Sequence, residues 1–175
     1  TELNIIRSVD ISYFFSSYEI QELTTNLKGC VIHQIPVFFF DDTVNEEIKG
    51  LNFDNRNGLL FVGGFLHQPN ADAVTWFIEE IFPLIRAKIP AIHITVAGSN
   101  PPAHIRQFSG TGVIITGRLS EKELLEQYQL RRVVVAPLRY GAGVKGKIIE
   151  AMYYGVPTVT TSIGAEGIEN ADHSL

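Results

Sequence analysis

One stretch decides the fold of this chain: Val133-Val-Val-Ala-Pro-Leu-Arg-Tyr-Gly-Ala-Gly-Val-Lys-Gly-Lys-Ile-Ile-Glu150. It begins as a short apolar run of β-branched residues that predicts a buried strand, and Pro137 ends that run. A glycine-rich loop follows, and then a helical pattern that runs to Gly155. In a strand, loop and helix of this kind, backbone N–H groups and the helix N-terminus converge on an anion.

The charges around this loop have one sign. No Asp or Glu occurs from Gln127 to Ile149, and the cations there are Arg131, Arg132, Arg139, Lys145 and Lys147. A solvated helix face usually alternates signs, so the pattern favours a phosphate-binding loop. The alternative is that Gly141 and Gly143 only shape a turn, while Lys147 pairs with Glu150 one helical turn later. That alternative leaves the one-sided charge unexplained.

Composition bounds the class of protein. The chain has 175 residues, of which 45% are hydrophobic and 19% charged, enough for one good core. A formal charge of -5 argues against a nucleic-acid partner. The single Cys30 excludes an internal disulfide and a multi-cysteine metal site, and it fits a reducing compartment.

Location and completeness follow from the same reading. No stretch approaches the roughly 20 apolar residues that span a bilayer. We therefore expect a cytoplasmic protein, and a position at the inner face of the membrane remains an alternative. The chain starts at Thr1 and stops at Leu175 without a helix stop signal, so we expect a fragment of a longer protein.

Apolar runs and turn residues predict the order of elements. Strands are predicted at residues 9–15, 30–35, 59–62, 92–97, 113–116, 133–136 and 157–161. Helices are predicted at residues 16–27, 71–88 with a break at Pro83, 103–108 and 120–128, besides the one that follows the glycine loop. Ser16 with Glu19 and Ser120 with Glu123 have the spacing of capping boxes. Residues 41–57 form the best linker candidate, which divides the chain into residues 1–40, 41–57 and 58–175.

Strands that alternate with helices predict right-handed βαβ units and a parallel sheet, which is an α/β fold. Glycines follow the predicted strand ends at Gly63, Gly64, Gly98, Gly117 and in the loop at Gly141. The carboxyl ends of parallel strands share one edge, and ligands bind in the crevice beside it. The predicted site is therefore this edge of the sheet.

Several motifs together suggest a family. They are Phe61-Val-Gly-Gly64, Pro69-Asn70, Val96-Ala-Gly98, Ile115-Thr-Gly117, Ala136 to Met152, Gly155-Val-Pro-Thr-Val159 and Gly164-Ala-Glu-Gly167. On these residues the chain resembles the C-terminal, donor-binding domain of a GT-B glycosyltransferase of group 1 (family 4). The resemblance implies a Rossmann-like open parallel sheet with helices on both faces. Residues 9–36 resemble the end of the preceding acceptor-side domain, so residues 1–40 are expected to be a short piece of it.

The resemblance also implies an activity. Such enzymes move a sugar from a UDP- or GDP-linked donor to an acceptor, here a saccharide or a lipid-linked one, with retention at the anomeric carbon. We expect no tightly bound cofactor and no essential metal, consistent with the lack of an Asp-x-Asp pair in the sequence. Peripheral membrane contact through the missing acceptor-side domain stays open. The chain alone is expected to be inactive, because half of the interdomain cleft is missing.

Residue roles carry over by the same resemblance. Glu150 matches the acid that accepts hydrogen bonds from the ribose hydroxyls, and two acceptor oxygens suit two adjacent donors. Lys145 and Lys147 match basic positions near the diphosphate, with Lys145 the stronger candidate for catalysis beside Glu150. The remaining donor-binding residues are Gly63 and Gly64 near the phosphates, Arg118 and Leu119 near the base, and Arg139, Gly141, Ala142, Gly143 and Val144 in the glycine loop.

Two departures from the family pattern leave alternatives open. Ala142 stands where many members carry a second acid facing the donor sugar, and Phe65, Leu66 and His67 stand where many carry Arg or Lys. A nucleotide-sugar epimerase of the same architecture remains an alternative. So does a non-catalytic domain that only binds nucleotide, which Ala142 favours. A nicotinamide-dependent oxidoreductase is disfavoured, because Gly63-Gly64 lacks the Gly-x-Gly-x-x-Gly spacing.

Overall fold

A computed structural model describes residues 2–35 and 52–168. In the first range, helix α1 (Glu2–Ser8) precedes a parallel pair of short strands, β1 (Ser12–Phe14) and β2 (Ile32–Gln34), joined by α2 (Ser17–Thr24). Ser16 Oγ accepts the Glu19 N–H at 3.4 Å, so the predicted cap at the start of α2 is confirmed. The strands are shorter than predicted, and α1 was not expected from the sequence.

The second range contains a five-stranded, fully parallel sheet. Its strands are β3 (Leu59–Val62), β4 (Ile94–Ala97), β5 (Val113–Gly117), β6 (Val133–Ala136) and β7 (Thr158–Thr160). Their order across the sheet is β5-β4-β3-β6-β7. The predicted α/β class and parallel sheet are therefore confirmed.

Helices connect consecutive strands of this sheet. They are α3 (Gln68–Trp76), α4 (Phe82–Lys88), α5 (Ala103–Arg106), α6 (Glu121–Leu130) and α7 (Gly146–Tyr153). The prediction of a break at Pro83 is corrected in detail, because the break is a π-helical turn over Phe77–Ile81 that precedes the proline. Proline lacks an N–H and crowds the carbonyl four residues earlier, which a widened turn relieves. The capping box that opens α6 is confirmed, with Ser120 N–H donating to Glu123 at 2.8 Å.

Each face of the sheet is covered by helices. Side chains of α3, α4 and α5 pack with Leu59, Phe61 and Val135 on one face. Tyr128 of α6 and Ala151 of α7 pack with strand residues such as Leu60 and Val134 on the other. Neighbouring residues of β3 and β6 thus point to opposite buried faces, as their uninterrupted apolar sequences predict.

The strand order reverses beside β3. Strands β4 and β5 lie on one side of it, and β6 and β7 lie on the other. Such a switch point opens a crevice at the carboxyl ends of the strands, which is where the glycine-rich loops lie.

The one-sided charge noted in the sequence divides between the two edges of the sheet. Arg131 and Arg132 immediately precede β6 and therefore lie at its amino edge, away from the glycine loop. Arg131 donates to Gln127 Oε1 at 3.2 Å, and Arg132 donates to the Arg56 carbonyl at 2.8 Å. The one-sided charge counted around the loop therefore includes two arginines that do not lie at it, since both occur before the strand rather than after it.

The predicted linker lies largely outside the described residues. Its described end contains a short 3-10 turn, Phe53–Asn55, followed by the buried Arg56, which donates to the Gly155 carbonyl at 2.9 Å. The division at residues 1–40, 41–57 and 58–175 stays a prediction. Within residues 2–35 and 52–168, no helix combines the length and apolar character needed to cross a bilayer.

The crevice floor depends on a close approach of two loops. A β-carbon on Gly98 would overlap the Gly63 carbonyl oxygen, whereas one on Gly117 would meet nothing within 4 Å. We predict that Gly98→Ala lowers the free energy of unfolding by about 2–3 kcal/mol or more through overpacking. Gly117→Ala, the control, has only a backbone cost of roughly 1 kcal/mol from its φ of 75°. Urea denaturation measures both, and equal losses would contradict the close approach.

Candidate functional site

The loop after β3 forms one wall of the crevice. Asn70, in the first turn of α3, is buried and donates through Nδ2 to the Gly64 carbonyl at 2.8 Å. A β-carbon on Gly63 would lie 2.8 Å from the Asn70 side-chain amide, so Gly63 leaves the room that this contact needs. The two glycines are thereby fixed against the start of α3.

A cleft of about 280 Å³ opens beside this loop. Its lining includes four of the predicted donor-binding residues, Gly63, Gly64, Arg118 and Leu119. Arg118, which is exposed, also lines a neighbouring cleft of about 400 Å³. The structure therefore brings together the residues predicted to face the phosphates and the base.

Lys147 reaches this region from the opposite face of the sheet. Its Nζ donates to Asn70 Oδ1 and lies 4.7 Å from the centre of the Phe61 ring. Burial and the nearby Lys145 lower the pKa of Lys147 to about 8. A desolvated ammonium whose partners are a neutral amide and a ring face keeps a net charge that an anion would neutralise.

Lys145 has a different environment. Its side chain is buried, and Nζ donates to the carbonyls of Gly141 (3.0 Å) and Gly143 and lies 3.3 Å from Glu166 Oε2. These oxygens belong to its own loop and to the turn after β7. Lys145 therefore fixes the shape of the glycine loop, and its charge already has partners.

The glycine loop contacts the loop after β3 across the crevice. Gly141 has a φ of 117°, a conformation that other residues rarely adopt. A β-carbon there would lie 3.3 Å from Pro69 Cγ and 4.0 Å from His67 Nε2. The two loops that flank the switch point are therefore neighbours.

Glu150 is half-buried on α7 and accepts a hydrogen bond from the Tyr128 hydroxyl at 3.0 Å. Burial raises the pKa of Glu150, and the bond from Tyr128 opposes that rise. Lys147 donates to Asn70, and Glu150 accepts from Tyr128. The alternative in which Lys147 pairs with Glu150 along the helix is therefore not the arrangement that the structure shows.

Three other predicted residues of the loop differ in their surroundings. Arg139 donates through Nε to Asp72 Oδ2 at 2.8 Å and lies over the Trp76 ring, so its charge is engaged by α3. Ala142 is exposed, and Val144 packs against the turn after β7, where a β-carbon on Gly167 would approach it to 2.7 Å. Roles of these three in donor binding stay predictions.

Sequence reasoning assigned no role to Asn70, Tyr128 or Glu166, which hold Lys147, Glu150 and Lys145 respectively. Each pair joins segments 21 to 77 residues apart. The presence of Pro69-Asn70 and Gly164-Ala-Glu-Gly167 among the recognised motifs was the one available signal for Asn70 and Glu166. Tyr128 had none beyond its place in an amphipathic helix.

Comparisons with known proteins agree with this architecture. Residues 56–175 match the family model for "Glycosyl transferases group 1". A Klebsiella pneumoniae relative, described as "Uncharacterized 44.6 kDa protein in cps region", is 30% identical over 154 residues, covering 75% of this chain and 40% of that protein.

Solved structures share the fold at low identity. Sucrose-phosphate synthase from Thermosynechococcus elongatus superposes with a TM-score of 0.64 at 20% identity, over 94% of this chain and 43% of that one. An α,α-trehalose 6-phosphate synthase from Burkholderia multivorans gives 0.66 at 12% identity, over 93% and 48%. The GT-B fold expected from the resemblance is thus confirmed, and the chain spans less than half the length of each of these proteins.

The environment of Lys147 predicts an unusual titration. We expect its ammonium to lose its proton near pH 8, well below the usual range for lysine, because burial disfavours the charge. The rate of amine acetylation against pH, followed for each lysine by mass spectrometry, measures this. Lys122, which is exposed, is acetylated in the same samples and serves as the control for the activity of the reagent. A Lys147 that keeps its proton up to the usual pH range of a lysine would contradict this desolvated environment.

Proposed function

The chain belongs to the group 1 glycosyltransferases, and on that premise we propose that it is the part that binds the nucleotide-sugar donor. The donor is a UDP- or GDP-linked sugar, and the complete protein transfers that sugar to a saccharide or lipid-linked acceptor. Because the chain spans less than half of its relatives, the activity of the whole protein is part of this proposal.

One observation carries the proposal. Lys147 and Asn70 come from helices on opposite faces of the sheet and meet beside Gly64, at the switch point. A cation without a charged partner, glycine backbone and an adjoining cleft are what a nucleoside diphosphate requires: charge for the phosphates, close approach, and room for the base.

The chemistry assigns one role to each side chain. In the transfer, the bond between the anomeric carbon and the diphosphate oxygen breaks, and the acceptor oxygen bonds to that carbon. The nucleoside diphosphate leaves with the electron pair of the broken bond, and the proton of the acceptor hydroxyl passes to the leaving diphosphate or to solvent. Lys147 offsets the charge that builds on the leaving diphosphate. Lys145 holds the glycine loop in place for it, and Glu150 accepts hydrogen bonds from the ribose hydroxyls.

The remaining features of the proposal rest on the family. We propose retention at the anomeric carbon and transfer without an essential metal, both of which need measurement on the complete protein. The single Cys30 agrees with a reducing compartment, so the cytoplasm or the inner membrane face is the proposed location.

Removal of the ribose-binding acid should weaken nucleotide binding. We predict that Glu150→Ala loses about 1.5–3 kcal/mol of UDP or GDP binding free energy, the usual worth of hydrogen bonds to a charged group. That loss is roughly 10- to 150-fold in Kd by calorimetry. Glu126→Ala, which removes an exposed carboxylate from α6, is the control and should bind as the wild type does. Absence of binding by the wild type at several millimolar nucleotide would overturn the proposed function.

The two lysines should separate by salt dependence. We predict that Lys147→Met weakens diphosphate binding by roughly tenfold or more and flattens its dependence on salt, because a phosphate contact is screened by ions. Lys145→Met should instead lower the free energy of unfolding by about 1–3 kcal/mol, because the loop loses its internal hydrogen bonds. Binding to that variant should keep the wild-type salt slope.

The reverse result would reassign the phosphate contact. If Lys145→Met flattens the salt dependence and Lys147→Met preserves it, the sequence-based ranking of Lys145 above Lys147 is right and Lys147 is a packing residue. Calorimetric titrations at several salt concentrations, with urea denaturation of both variants, distinguish the two outcomes.

A further inference from the structure

Tyr128 is a polar residue in an apolar position. It is the largest fully buried side chain among the described residues, it belongs to the cluster between α6, α7 and the sheet, and its ring stacks on Tyr154 at 5.0 Å. Its hydroxyl donates to Glu150 Oε2 at 3.0 Å. A phenylalanine would fill the same volume without the need for a partner, so the hydroxyl itself requires an explanation.

The hydrogen bond restricts the carboxylate that the proposed function assigns to the ribose. A carboxylate on a helix rotates about its last bond, and a donor to one oxygen fixes that rotation. With Oε2 held by Tyr128, Oε1 and the free lone pairs of Oε2 keep one orientation. An acceptor fixed in this way loses less entropy when the two adjacent ribose hydroxyls bind.

Helix α6 connects this bond to the predicted base contact. Its cap residue, Ser120, directly follows Arg118 and Leu119, and Tyr128 lies two turns further along the same helix. The capping box fixes the start of the helix, and the stacked pair of tyrosines fixes its end against α7. The loop of Arg118 and Leu119 and the carboxylate of Glu150 are therefore held in a fixed position relative to each other.

We propose that Tyr128 is a positioning residue that orients Glu150 for the ribose diol and sets the preference of this site for ribonucleotides over deoxyribonucleotides. The inference rests on the proposed function and extends it to the class of nucleotide that the site selects. A purely structural role would leave that preference unchanged.

The protonation of Glu150 provides a second readout. The titratable groups near it are Tyr128 on α6 and Tyr154 at the end of α7, and Tyr153 and Glu121 lie near Tyr154. The pKa values of Tyr128 and Tyr154 are raised by burial, so neither of these two ionises in the range where Glu150 titrates. Removal of the Tyr128 hydroxyl removes the contact that opposes protonation of Glu150. Ribonucleotide binding needs the Glu150 carboxylate. In Tyr128→Phe, the loss of ribonucleotide binding on acidification should therefore begin at a higher pH than in the wild type.

The experiment measures Kd by calorimetry for UDP, GDP and their 2′-deoxy and 3′-deoxy analogues, between pH 5 and 8. For Tyr128→Phe we expect a roughly 3- to 10-fold loss of ribonucleotide affinity, the worth of a modest hydrogen-bond effect, with little change for the deoxy analogues. The acid limb of ribonucleotide binding should also move to higher pH. The control, Tyr154→Phe, keeps the stacked rings and the hydrogen bond from Tyr128 to Glu150. It should therefore keep the wild-type ratio of ribonucleotide to deoxyribonucleotide affinity.

A double-mutant cycle guards against a general effect on the fold. In the Glu150→Ala background, Tyr128→Phe should no longer change the ratio of ribonucleotide to deoxyribonucleotide affinity. Equal losses for both kinds of nucleotide in Tyr128→Phe, or an unchanged ratio and acid limb, would overturn this inference while the proposed function stands. A wild-type chain that binds no nucleoside diphosphate would overturn both.

Discussion

The reversal of strand order beside β3 is the constraint on which the rest of this structure depends. Strands β3 and β6 are neighbours, yet the helices that follow them cover opposite faces of the sheet. Right-handed crossovers leave no other arrangement when both faces must be buried. The loops therefore diverge above the carboxyl ends, and Lys147 and Asn70 meet across the opening from the two sides.

The two loop lysines differ in their capacity to bind a further anion because their present partners differ. Lys145 donates to carbonyl oxygens and approaches a carboxylate, so a further anion would compete with partners that already exist. Lys147 has an amide oxygen and an aromatic face, neither of which carries a full charge. Because a buried cation is costly until an anion approaches, the second lysine gains more from a bound diphosphate. The lowered pKa of Lys147 expresses the same cost.

Much of the fold could be predicted from local sequence pattern. The apolar runs at Leu59–Val62 and Val133–Ala136, the glycines that follow the strands, and the capping box at Ser120 each act over a few residues, and all were found where expected. The π-helical turn before Pro83 was missed, because a proline signals a break without stating its form. The strands predicted in the first 35 residues were also too long, because the alternation of apolar and polar residues there is imperfect.

The site was less predictable, because its contacts join distant segments. Lys145 and Lys147 are two residues apart at a helix start, where spacing does not determine which way a side chain turns. Their partners, Glu166 and Asn70, lie 21 and 77 residues away. The grouping of Arg131 with the loop failed for a similar reason, because the sequence places it near the loop while the strand between them carries it to the other edge.

The most direct test of this account is a crystal structure of the chain with UDP or GDP bound. The account predicts diphosphate oxygens at about 3 Å from Lys147 Nζ, beside Gly63 and Gly64, with the ribose hydroxyls on Glu150. A nucleotide bound elsewhere, or a diphosphate held by Lys145 while Lys147 still donates to Asn70, would contradict it.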